Sequence, residues 1–181
     1  MMRWIPFFIL IFGITNAQPF NGESDYFIEA WVNNPTPFVG EQIMYTIRYY
    51  AIDQEGITPQ FPDFEGFWIG EATTLPTVIR NIGDNQYFVR EIQIFIAPLG
   101  AGELFIGESR LVVTGNVFRS QQILTTPAIP ITVHPLPDTA PASFSGAVGE
   151  FVMSANLDAG ILTLGNPFTL QIDIQGVGIL D

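Results

Sequence analysis

The chain has no cysteine and no lysine, a single histidine, and charged residues at only 13% of its 181 positions. Lack of cysteine removes disulfides, so stability must come from burial, and a 48% hydrophobic composition makes that feasible for one domain of roughly 100 to 120 residues. With one histidine and no thiol, metal binding would rest on carboxylates, and any Ser-His-Asp arrangement would depend on His134. The formal charge of -12 repels phosphate backbones and anionic headgroups, which excludes nucleic acid as a partner. Helical periodicity is also missing: beyond the first 17 residues no window sustains apolar residues at i, i+3 and i+4. No Asn-x-Ser/Thr acceptor occurs, since Asn34 is followed by Pro35.

What is present begins with an export signal. Arg3 supplies a positive start, Ile5 to Ile14 form an apolar run, and Thr15-Asn16-Ala17 offers small residues for cleavage, which would leave Gln18 first. The apolar run is shorter than the ~20 residues that span a bilayer; a retained anchor is the alternative. No cysteine follows, which excludes a lipid-anchored lipoprotein. Loss of Arg3 would bring the charge to -13, from 18 acidic residues and five Arg.

Strand-like runs recur after a polar leader (18–25), near 26–32, 42–50, 67–74, 77–82, 87–97, 103–106, 109–114 and 128–133. In the second run Ile43, Tyr45, Ile47 and Tyr49 alternate with Met44, Thr46, Arg48 and Tyr50. In the fifth both faces are partly apolar, which predicts a central strand. Gly83-Asp84-Asn85-Gln86 reads as a hairpin turn. Turn density and recurrent prolines indicate an all-β chain: an immunoglobulin-like antiparallel β-sandwich over 26–134, then a Pro-rich linker over 135–144 (from HPLPDTAPA).

A pattern then restarts. Phe27, Ile28 and Ala30 lead to Gly40-Glu41 and the alternating second run; Phe151, Val152 and Ala155 lead to Gly165-Asn166-Pro167 and alternating Phe168, Leu170, Ile172 and Ile174. Phe-to-Gly spacing is 13 residues in one copy and 14 in the other. The expectation is the opening of a second, truncated sandwich over 145–181, whose apolar face lacks cover, at the front of a longer modular protein.

The linker and restart resemble the BatD-like aerotolerance ("oxygen tolerance") family. The likeness is carried by Pro135-Leu136-Pro137, Phe144-Ser145-Gly146-Ala147-Val148-Gly149-Glu150-Phe151, Leu157-Asp158, Leu164-Gly165 and Gly176-x-Gly178. In the first domain Phe61-Pro62-Asp63-Phe64, Gly66-Phe67 and the corner from Ala97 to Ile106 also look similar. Where the family has Asn-Leu after the last Gly, this chain has Ile179-Leu180. The resemblance implies a non-catalytic, membrane-associated interaction module on the periplasmic face of the bacterial inner membrane, anchored by a C-terminal helix that this chain does not include. It further implies envelope partners such as von Willebrand A-type proteins, and no catalytic residues.

Read from the residues, no cofactor or metal is expected. Asp53 with Glu55, and Asp63 with Glu65, are the carboxylate pairs that could attract calcium, but neither belongs to an EF-hand-like loop. Gly146 and Gly149 precede no helix and suit a tight backbone crossing better than a phosphate cradle. Trp31, Phe61, Phe64, Phe67, Trp68 and Tyr87 could make a sugar-stacking platform, although aromatics at strand spacing are more often core. The loop-like stretch holding Phe61, Phe64, Phe67 and Trp68 is the candidate partner contact. The rival reading is a carbohydrate-binding accessory module of a secreted protein.

Overall fold

Strand β2 (Ile43–Ala51) shows how the alternation organises the molecule. Its inward residues Ile43, Tyr45, Ile47 and Tyr49 are all buried. They lie in register with Val32, Ala30 and Ile28 of β1 (Tyr26–Val32) and with Ile96, Ile94 and Ile92 of β6 (Asn85–Pro98). Burying each such side chain contributes about 1.5–3 kcal/mol. The computed structural model describes residues 24–181 except 118–119, 140–142, 145, 159–160, 162–163, 166 and 180–181. The expected signal sequence and nearly all of the leader lie outside the described residues.

Every described strand pairs antiparallel. One sheet has the order β1-β2-β6-β4, with β4 (Phe67–Thr74) and β5 (Val78–Ile82) sharing the far edge of β6. Pro76 separates these two, because it offers no N–H to the ladder; Leu75 still donates to the Glu91 carbonyl at 2.9 Å. The β5–β6 hairpin closes on Gly83-Asp84, with Ile82 opposite Asn85 and Gly83 at φ 59°. The turn is thus tighter than the four residues the sequence suggests. As its two apolar faces predict, β6 is central.

The facing sheet is built from β3 (Ile57–Gln60), β7 (Gly102–Ile106), β8 (Arg110–Val113), β9 (Gln122–Thr125) and β10 (Ile129–Val133). β8 lies between β3 and β9, and β7 pairs with β10. Thr126 donates to the Ser109 carbonyl at 3.0 Å, so the two ladders run on from one another across the breaks at 107–109 and 126–128. Residues 35–39 leave the first sheet and run parallel to β10, with Phe38 opposite His134. Ile106, Leu111, Val113, Ile131 and Val133 of this sheet share one core with β1, β2 and β6. The fold is an all-β antiparallel sandwich. β3 and β9 escape detection from sequence: β3 (Ile-Thr-Pro-Gln) carries a proline and a single large apolar residue, and β9 (Gln-Ile-Leu-Thr) places two apolar residues side by side, so neither shows alternation.

Beyond the linker, β11 (Val148–Leu157) pairs, among the described residues, only with β12 (Leu170–Ile179), so the restarted pattern folds as a ribbon equivalent to β1–β2. Phe151, Met153, Ala155 and Leu157 share a face with Leu170, Ile172 and Ile174; Val152, Ser154, Asn156, Gln171, Asp173 and Gln175 share the other. The counterparts on β2 are buried, whereas Leu170, Ile172 and Ile174 are 51–54% exposed. The difference is the second sheet, which covers β2 and has no equivalent over β12 among the described residues.

Candidate functional site

From Phe61 to Phe64 the chain is extended and its side chains alternate. Pro62 and Phe64 turn inward; Phe61 and Asp63 face solvent. The Phe67 amide then donates to the Phe64 carbonyl at 3.0 Å, a turn that also points Phe67 inward and leaves Trp68 outside. Of the four candidate contact residues, Phe64 and Phe67 are therefore core, and that part of the expectation is corrected. A four-aromatic surface would leave the end of the sandwich unfilled. Phe61 and Trp68 are exposed at 42% and 45%. Trp68 lies over Gly70, whose added Cβ would stand 3.2 Å from the indole; an extra residue here, opposite Phe95, makes a β-bulge in β4. Tyr87 is buried and donates to the Ser24 carbonyl at 2.8 Å. The six aromatics do not assemble into one platform.

The break between β7 and β8 alternates in the same way: Ile106, Ser109 and Leu111 are buried, while Glu108 and Arg110 face outward. Gly107 donates its N–H to the Asp63 carbonyl at 3.1 Å, and Gln60 stands opposite Arg110 in the β3–β8 ladder. A Cβ at Gly107 would lie 3.3 Å from the Asp63 nitrogen, so a side chain there would push the two runs apart by a few tenths of an ångström. The two extended runs bound an open groove of about 340 Å³ lined by Gln60, Phe61, Asp63, Gly107, Glu108 and Arg110. Trp68 does not line it.

Beneath this groove lies a buried polar anchor. Tyr45 crosses from the opposite sheet to hydrogen-bond the Ser109 hydroxyl, and the Ser109 N–H donates to Thr126 Oγ1 at 3.0 Å. The Tyr45 ring also meets Phe64 edge-on, with centroids 5.2 Å apart. One tyrosine thus braces both walls. Its burial pushes the phenol up to about 12, partly offset by the Ser109 hydrogen bond.

On the outer face of the first sheet, Arg48 bridges Glu29 at 3.0 Å and Glu91 at 2.7 Å, its direct cross-strand neighbours, and its guanidinium lies 4.6 Å from the Trp31 ring centre. Both carboxylates are thus engaged by the one guanidinium, and Trp31 is occupied by Arg48. His134 sits at the end of β10 with its ring beside Phe38, centroids 5.8 Å apart. Asp53 accepts from the Tyr26 hydroxyl at 2.8 Å. Among the described residues no group of three or more His, Cys, Asp or Glu could hold a metal ion, and no helix is long and apolar enough to cross a membrane.

Comparison with protein-family models, with curated proteins and with solved structures finds no match.

Proposed function

We propose that this protein is a non-catalytic, exported interaction module of a bacterial envelope system of the BatD-like aerotolerance kind. The observation that carries the reading is the β11–β12 ribbon: it repeats the β1–β2 hairpin strand for strand, yet holds its apolar face open. A chain that begins the same sandwich twice is built as a row of recognition modules. The strand order supports the immunoglobulin-like assignment. In the usual lettering β1, β2, β6 and β4–β5 take the A, B, E and D places, and β3, β7–β8 and β9–β10 take C, F and G. The segment at 35–39, which leaves β1's sheet to run beside β10, matches a split first strand. Partners would be envelope or membrane proteins, von Willebrand A-type proteins foremost, engaged through Trp68 and by strand addition at the β4–β5 and β12 edges.

The test is affinity capture from an envelope extract with the whole chain immobilised, read by mass spectrometry against an unrelated sandwich of equal charge. Enrichment of von Willebrand A-type or other integral membrane proteins is expected, and weaker enrichment with Trp68→Ala. Recovery of no membrane protein above the control overturns the reading.

A further inference from the structure

We propose that the groove between residues 60–63 and 107–110 binds an uncharged oligosaccharide. The site stands apart from the ribbon and from the strand edges, and it does not depend on the interaction role. Size separates it from a cavity of about 30 Å³ beside Tyr49 and Arg90, which admits little more than a water. At about 340 Å³ the groove falls in the range of small-molecule sites.

Its lining suits a pyranose. Phe61 presents an exposed ring against which the C–H face of a sugar can lie. Asp63 and Glu108 accept hydrogen bonds, Arg110 donates through a planar fork, and Gln60 does both, which matches vicinal hydroxyls. Among the described residues these four side chains make no hydrogen bond or ion pair with the protein, so their capacity faces outward. Two carboxylates against one guanidinium, in a chain of net charge -12, disfavour an anionic ligand; Arg110 in the wall disfavours a basic peptide. The backbone beneath is held by the Gly107–Asp63 bond and the Tyr45–Ser109–Thr126 chain, so little order remains to be imposed on binding.

The experiment titrates the whole chain at neutral pH with maltohexaose, cellohexaose and chitohexaose, followed by amide NMR shifts and calorimetry. At least one is expected to bind with a dissociation constant on the order of 0.1–1 mM, with shifts centred on 60–63 and 107–110. Phe61→Ala is expected to weaken binding about tenfold, as is the pair Asp63→Asn with Glu108→Gln. Phe95→Ala, on the opposite sheet, should leave it unchanged. Phe61→Leu keeps apolar bulk without the ring and guards against a folding defect; equal thermal midpoints establish that each variant is folded. Failure of all three sugars to bind, undiminished binding in folded Phe61→Leu, stronger binding of an anionic hexasaccharide, or occupation of the groove by a captured polypeptide each overturns the proposal.

Discussion

Tyr45 of β2 and Ser109, between β7 and β8, share a hydrogen bond across the core, although they belong to opposite sheets and stand 64 residues apart in sequence. Both are fully buried. The bond joins the sheets at the break between β7 and β8, beneath the groove. Tyr45→Phe keeps the ring and strands the Ser109 hydroxyl. Urea unfolding should show a loss of about 1–3 kcal/mol, the cost of an orphaned buried hydroxyl.

The same tyrosine sets an alkaline limit. Its folded pKa of about 12 stands above the ordinary tyrosine value of 10.0, so between those values the unfolded chain releases a proton that the folded chain retains. The contribution is complete below pH about 10 and is lost as pH rises through about 12, amounting to roughly 2–3 kcal/mol. Stability measured from pH 9 to 12 should fall more steeply in the native chain than in Tyr45→Phe. Equal slopes would contradict the assignment.

Gly176 and Gly178 lie under the Phe151 ring. A Cβ on Gly176 would press on the Glu150 carbonyl and stand 2.7 Å from Phe151 Cδ1; one on Gly178 would stand 2.6 Å from Phe151 Cζ and 2.9 Å from Gly149 Cα. Gly176→Ala or Gly178→Ala should therefore open the β11–β12 ribbon, which as a two-stranded unit has little stability to spare. Hydrogen exchange is the measurement: protection over 148–157 and 170–179 should vanish while that of β2 and β6 persists.

The 61–68 stretch divides by burial. Phe64→Ala and Phe67→Ala should each cost about 3–5 kcal/mol, and Phe61→Ala and Trp68→Ala within about 0.5 kcal/mol. Comparable losses at all four positions would contradict the inside–outside alternation.

How much of this could be read beforehand depended on the length of each signal. β1 and β4 stand at the bounds read from the sequence, and β2 and β6 lie where alternation marks the second and fifth runs, because long alternating runs of β-branched and aromatic residues have one good solution. β3, interrupted by Pro59, and β9, with Ile123 and Leu124 adjacent, offered no alternation to read. The candidate contact was half legible: Phe61-Pro62-Asp63-Phe64 marks an irregular stretch, but nothing local distinguishes Phe61 from Phe64. Glu108 and Arg110 carried no signal, since only the bend at Gly107 and its bond to Asp63 bring them beside Phe61. The paired glycines at 176 and 178 were visible as a motif, and Phe151 supplies their reason.

Composition and spacing alone determined that the described residues are all-β, built without helices or disulfides, and that the opening hairpin occurs twice, because periodicity of two and turn residues are local properties of the chain. Tertiary structure decided which aromatics are buried, where a groove opens, and why β2 is covered while β12 is not. Those outcomes depend on which distant strand comes to lie opposite, a pairing set by packing between sheets rather than by neighbouring residues.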